Sequence, residues 1–555
     1  MVDWIAHNIA PIMFLSVMGL LLFGYPVSFT LAFGGLLFFV IGVELSALSP
    51  DVISLSWPLM QAQPDRVFGI LSNDTLLAVP FFTLMGAILQ KSGIAENLLD
   101  VVGRLFGAVR GGLCYAVILV GTLLAATTGV VSASVITMGL ISLPIMLRSG
   151  YSPAVAAGSV TAAGALSQIV PPSLVLIVMA DQLGMPVSEI YLGALVPAGL
   201  MITLYCLYIT ATAVMFPKML PPVGGETTTG ADYRSLGVVL LAGVLAGWLA
   251  HAFVLSELND APRVVLASLL GGLLVLGLAL GDMLSPQKLM TPLARRAVFA
   301  LVPPFGLIFL VLGTIFLGIA TPTESGSMGA LGAIAIALVN RRLTFAILKD
   351  AVEATARLAT FVMFILIGAR IFSLTFYGLE GDAWLHGILT GLPGGPLGFV
   401  VFSMLLIFVL GCFLDFFEIA FIVIPLLIPT ATALGIDLVW YGILISINLQ
   451  TSFLTPPFGF ALFYLRSVAP LASGGATAKG EPATGIRTGQ IYLGSAAFVV
   501  INAAVLAIVV AFPEMVLHEA LAPAIDPATV DSLIDTAPEP TIDRPAPDNL
   551  NDLFR

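Results

Sequence analysis

Pro171 and Pro172 stand in the middle of an apolar segment, about 154–180, that is long enough to cross a bilayer. Each proline lacks a backbone N–H, and each ring collides with the preceding turn, so a helix breaks there. In hydrocarbon, the carbonyls freed by such a break must face protein, water or a bound cation. The same device recurs at Thr451-Ser452-Phe453-Leu454-Thr455-Pro456-Pro457, inside a second apolar segment at about 438–465. Two broken apolar segments at matching places in two halves point to the binding site of a transporter.

The surroundings of these breaks fix the class. The chain is 59% hydrophobic and 10% charged, against roughly a quarter charged in soluble proteins. Solid apolar runs recur along most of its length, which predicts an all-α polytopic membrane protein. A membrane barrel is excluded, because its strands would alternate apolar and polar residues. A cleavable signal peptide is not expected, since no basic stretch precedes the first apolar run. Cys114, Cys206 and Cys412 lie far apart in apolar segments and read as small core hydrophobes.

Each break has a companion. The segment 112–147 is interrupted by Thr127-Thr128-Gly129 and Ser132-Ala133-Ser134. Each half is read as too short to cross, so the segment predicts a re-entrant helical hairpin. A second hairpin is expected at about 396–434, with its tip near Gly411-Cys412-Phe413-Leu414-Asp415. Pro456-Pro457 follows Pro171-Pro172, and Gly435 follows Gly150, at one constant offset, so the second half repeats the first. The expected organisation is a first repeat over 1–217, loops and two extra membrane helices over 218–297, and a second repeat over 298–468. A loop and a last membrane helix over 469–512 and an acidic disordered tail over 513–555 complete it.

Charge sets the orientation. With the N-terminus outside, most Lys and Arg residues fall on the cytoplasmic side, while Arg66, Arg263, Arg544 and Arg555 fall outside. Both termini are then periplasmic, the first hairpin enters from the cytoplasm and the second from outside. That is an inverted-topology repeat.

Carbonyl oxygens and helix C-terminal ends suit a hard cation such as sodium. One ion site would gather Thr128, Gly129 and Ser132 with the backbone of Leu166, Ile169 and Pro171. Its mate would gather Gly411, Leu414 and Asp415 with Thr451, Leu454 and Pro456. Ser134, Thr161, Ser173, Asn448 and Thr455 are the candidates to meet a substrate. Asp415 and Glu418 at the second tip either bind a proton or cation or order the tip by accepting N–H bonds; both roles stay open. Glu324, two residues after Pro322, is expected to cap a helix, Arg370 to be structural, and His251 and His386 to be solvated. No His-Glu-x-x-His, phosphate-binding loop or Gly-x-Gly-Asp protease setting is apparent, so an enzyme is not expected, and neither is nucleic-acid binding.

Several stretches together resemble the large membrane subunit of tripartite ATP-independent periplasmic (TRAP) transporters. They are Leu76-Leu77-Ala78-Val79-Pro80-Phe81-Phe82, Gly150-Tyr151-Ser152, Gln168-Ile169-Val170-Pro171-Pro172-Ser173, Thr321-Pro322-Thr323-Glu324, Gly411-Cys412-Phe413-Leu414-Asp415, Leu434-Gly435-Ile436-Asp437 and Leu454-Thr455-Pro456-Pro457-Phe458-Gly459. In this order they span about 20–470, and the two central extra helices resemble the family's longer branch. The resemblance implies an elevator, in which a transport domain moves against a scaffold in the bacterial inner membrane. It also implies a small four-helix membrane partner, a periplasmic substrate-binding protein that delivers a small organic acid, and sodium as coupling ion with no other cofactor. The family's ion sites use hairpin-tip and Pro-Pro carbonyls, which transfers onto the positions named above. Two departures stand out. The first tip reads Thr128-Gly129-Val130-Val131-Ser132 where the family often has Ser-Gly-Ser-Ser, and Ser167-Gln168 replaces a glycine before the Pro-Pro pair. A stand-alone sodium-coupled anion symporter without a binding protein is the alternative.

Overall fold

The computed structural model describes residues 2–49, 53, 55–223, 230–255, 260–285, 290–470 and 485–517. Helices α1 (Ile9–Leu22) and α2 (Val27–Leu48) meet at Gly24-Tyr25-Pro26, where Gly24 takes φ +79° and Pro26 opens the second helix. The side-chain oxygen of Asn73 accepts the N–H groups of Thr75 and Leu76, which starts α3 (Asp74–Lys91). The expected amphipathic helix is α4 (Ile94–Leu105), which buries Leu98, Leu99, Val101 and Val102 and exposes Arg104.

The first hairpin is α5 (Gly112–Thr128) and α6 (Val131–Arg148). The first broken helix is α7 (Pro153–Ala165) and α8 (Leu174–Leu183), followed by α9 (Val187–Met215). The limbs of the hairpin are longer than expected, 17 and 18 residues. At 1.5 Å per residue that is about 26 Å, close to a hydrocarbon core of about 30 Å. The reason is the economy of the tip. Gly129 in the left-handed region and Val130 make the whole turn, so Thr127 and Ser132-Ala133-Ser134 stay helical.

The insertion is α10 (Gly230–Leu249), a π-helical turn Ala250–Val254, and α11 (Asp260–Leu284). These two helices cross closely because Gly243, Gly247, Ala267 and Gly271 let the backbones touch. Their remaining faces are largely exposed and apolar, as lipid contact requires. Buried Asp282 accepts the N–H of Met290 at 3.0 Å and pairs with Arg295 at 3.3 Å, fixing the entry to α12 (Pro292–Phe316).

Then come α13 (Pro322–Val339), α14 (Phe345–Gly378) and α15 (Gly381–Thr390). Thr321 and Glu324 form a reciprocal capping box at the start of α13, the role expected of Glu324. The second hairpin is α16 (Gly395–Gly411) and α17 (Phe416–Ala433), the latter containing a π-helical turn, Ile419–Val423. The second broken helix is α18 (Leu438–Phe453) and α19 (Phe460–Val468), and α20 (Thr488–Ala511) is the last long helix. Most of the glycine-rich loop, 471–484, and most of the acidic tail, 518–555, lie outside the described residues. Among the described residues, nine helices are long and apolar enough to cross a membrane, or up to eleven if two bent pairs each count as one span.

Helices from the two halves pack in matching pairs. α2 lies on α14, where the Thr375 hydroxyl donates to the Gly35 carbonyl at 2.9 Å, and α3 lies on α13. The hairpins, broken helices, α9 and α20 form a second group. Within it α9 packs on α18 and α20 on α7, so each half's last helix covers the other half's broken helix. Alanine and glycine dominate α7, and a Cβ at Gly158 would overlap the backbone of Gly494 on α20.

Candidate functional site

At the first break, α7 ends at Ala165, a 3-10 turn covers Leu166–Gln168, and helix resumes at Leu174. In a continuous helix, the N–H groups missing from Pro171 and Pro172 would have served the carbonyls of Ser167 and Gln168. The single proton of the Ser173 hydroxyl stands in for one of them, donated to the Ser167 carbonyl at 2.7 Å with the Gln168 carbonyl 3.4 Å away. Tyr191 in turn donates to the Ser173 carbonyl at 3.3 Å. Every residue from Val155 to Ala180 is buried. Gly129 at the tip of the first hairpin abuts Leu174; a Cβ there would press on the Leu174 backbone. The tip and the break therefore meet, with Leu166, Ile169 and Pro171 enclosed beside them. The side chain of Thr128 lies outside the described residues, and Ser132 is half-buried.

The second break repeats this plan with different side chains. Phe453 and Phe458 stand at the positions of Gln168 and Ser173. The N–H of Leu454 reaches the Thr451 carbonyl at 3.2 Å, and that of Thr455 the Ser452 carbonyl at 3.0 Å. Among the described residues no hydrogen bond reaches the carbonyl of Phe453. Gly411 is pressed against Ser452, so this tip also meets its break. Pro456, Pro457 and Phe458 are exposed, whereas their counterparts at the first break are buried. The Pro-Pro peptide bond is cis in both.

Asp415 caps α17. Its carboxylate accepts the N–H of Glu418, and Glu418 accepts that of Asp415 at 3.0 Å. The reciprocal box orders the tip, which is one of the two roles left open for this pair. Glu418→Gln keeps an acceptor and should unfold at the wild-type temperature. Glu418→Ala should lose about 1 kcal/mol, seen as a lower unfolding temperature in detergent.

A cavity of about 910 Å³ opens between the two helix groups. Tyr25 and Ser28 at the α1–α2 turn and Arg357 and Thr360 on α14 form one side. Leu414, Asp415 and Glu418 at the second tip and Tyr464 on α19 face them. Its volume suits a small organic molecule. An exposed guanidinium on the α14 wall gives it an anchor for a carboxylate.

Of the residues expected at the sites, Leu414 and Asp415 line this cavity and the others do not. Thr161 bonds its own helix and comes within 3.2 Å of Ser495 on α20. Asn448 donates to the Met404 carbonyl at 2.6 Å, and Thr455 to that of Thr451 at 2.8 Å. Ser134 is buried on α6. Arg370 is exposed and outside the cavity. His386, expected to be solvated, is half-buried with Nδ1 3.2 Å from the Thr430 hydroxyl. Sequence reasoning missed Arg357 and Tyr25. The available signal was an arginine inside the long polar-to-apolar helix Phe345–Gly378, but nothing local shows which face it takes.

Residues 14–515 match the model of the tripartite ATP-independent periplasmic transporter family, DctM component. The chain belongs to the DctM family. It is similar to the C4-dicarboxylate TRAP transporter large permease protein DctM of Pseudomonas aeruginosa, 28% identical over 412 residues that cover 74% of this chain and 81% of that one. The sialic acid TRAP transporter large permease protein SiaM of Vibrio cholerae is 26% identical over 463 residues, 82% of this chain and 88% of that one. In fold, this DctM chain resembles the YdaH transporter of Alcanivorax borkumensis, with a TM-score of 0.51 and 15% identity over 88% of this chain and 99% of that one. Membership makes the DctM chain a membrane transporter subunit, and relatives named for C4-dicarboxylate and sialic acid place organic acids among the cargoes of the family.

Proposed function

We propose that this DctM chain couples inward sodium flow to uptake of a small organic acid across a bacterial inner membrane. A periplasmic substrate-binding protein delivers the acid, and a small four-helix membrane subunit completes the permease. The observation that carries this reading is the pairing of each hairpin tip with a Pro-Pro break, beside a cavity that carries Arg357. Each hairpin returns to the side it enters from, the first to the cytoplasm and the second to the periplasm, and both described ends of the unit lie toward the periplasm. The group formed by hairpins, broken helices, α9 and α20 moves as an elevator against α2, α3, α13 and α14. The unequal exposure of the two breaks supports this, since one lies open beside the cavity while the other is sealed.

Vesicles carrying the reconstituted permease provide the test. Uptake of labelled acid should require both an inward sodium gradient and the loaded binding protein. Equal uptake after replacing sodium by choline would remove the ion from the mechanism. Uptake without the binding protein would instead make the chain a stand-alone symporter.

A further inference from the structure

Gln168 ends the 3-10 turn at the first break, is fully buried, and has no hydrogen-bond partner for either side-chain polar atom. The turn packs against both limbs of the first hairpin, α8 and α18. A carboxamide brings an acceptor oxygen and two N–H donors, and leaving them unpaired in a dry interior is costly. The carbonyls of Ser167 and Gln168 share the one Ser173 hydroxyl proton, whereas among the described residues no hydrogen bond reaches the carbonyls of Ile169 and Val170. Among the described residues of this break, the side-chain oxygen of Gln168 is the unclaimed hard oxygen of a side chain. The second break has no such side chain, since Phe453 and Phe458 occupy the positions of Gln168 and Ser173, while both breaks keep open backbone carbonyls.

We propose that the side-chain oxygen of Gln168 is a ligand for the alkali cation of the first repeat, an addition to the backbone oxygens that both breaks offer. The second break, with Phe453 at this position, has backbone carbonyls alone. The proposal rests on the sodium reading above. A neutral amide suits a reversibly bound monovalent ion, because its departure leaves no buried charge. The NH₂ of the same group then donates to a water held beside the ion.

Thermal unfolding of the full chain, titrated with sodium chloride against choline chloride at constant ionic strength, tests this. Sodium should stabilise the wild type in two components, one for each break. Gln168→Leu should raise the sodium midpoint of one component by about tenfold or more. The same variant should unfold at a higher temperature in choline, because the orphaned amide is gone. Adding Ser173→Ala to it frees the Ser167 carbonyl and should recover part of the lost sodium response. Where Gln168→Leu does not yield folded protein, Gln168→Asn withdraws the oxygen by one methylene and should shift the same midpoint. If neither component moves, the ligand assignment is wrong and sodium coupling stands. If the wild type does not respond to sodium at all, both fall.

Discussion

Gly494→Val is expected to prevent assembly of the folded chain. A Cβ at Gly494 would run into the carbonyl of Ala154, and one at Gly158 into the carbonyl of Gly494. Both obstacles are backbone, so no rotamer change relieves them. Overpacking a side chain against flexible neighbours costs about 1–3 kcal/mol. Here the helices themselves must separate, and the loss should exceed that range. Separation also breaks the Thr161–Ser495 contact of 3.2 Å and uncovers a broken helix that is buried throughout. Freed carbonyls near mid-membrane would then face lipid. Size-exclusion chromatography in detergent should show the monodisperse peak lost. Gly277→Val on α11 is the control. It meets open space, and the profile should match the wild type. A normal peak and an unchanged unfolding temperature for Gly494→Val would mean that α7 and α20 do not touch in the membrane.

Arg357→Ala is expected to cut uptake of the acid by roughly 10- to 100-fold, the equivalent of a charge-assisted hydrogen bond of about 1.5–3 kcal/mol. Arg357 is exposed on the α14 wall of the cavity, opposite a tip that carries Asp415 and Glu418. Those carboxylates repel an acid, while the guanidinium can grip it with two parallel N–H bonds. Arg357→Lys keeps the charge and loses the fork, so intermediate uptake is expected. The exposed position makes a folding defect small, which the unfolding temperature checks. Wild-type uptake by Arg357→Ala would move the carboxylate anchor elsewhere.

The breaks and hairpins were legible because their causes are local. A proline without an N–H interrupts a helix wherever it stands, and a glycine at φ +59° makes a two-residue tip. The constant offset between the two Pro-Pro pairs made the repeat visible without any contact information. What stayed hidden depends on which way a side chain faces. Ser173 and Thr455 were candidates to hold a substrate, yet both hydroxyls are spent on carbonyls of their own break. Asn448 is spent on tying α18 to α16. Arg357 and Tyr25 belong to distant segments, and only the approach of α14 to the α1–α2 turn places them on one cavity. The limb lengths were misjudged because serine and threonine near the tip were read as turn residues. They continue the helix instead, as the hydroxyl of Thr127 shows by bonding to the Leu124 carbonyl of the preceding turn.

The sequence by itself determined that this chain lives in a membrane, that it is helical, that two of its helices are broken, and that its halves repeat. These follow from hydrophobic transfer and from the missing proline N–H, which act on each segment alone. The tertiary structure decided that one break is sealed and the other open, that Gln168 is left without a partner, and that Arg357 faces a cavity. Those outcomes depend on which surfaces of remote helices meet, and the free energy of that meeting is spread over contacts that no single stretch of sequence contains.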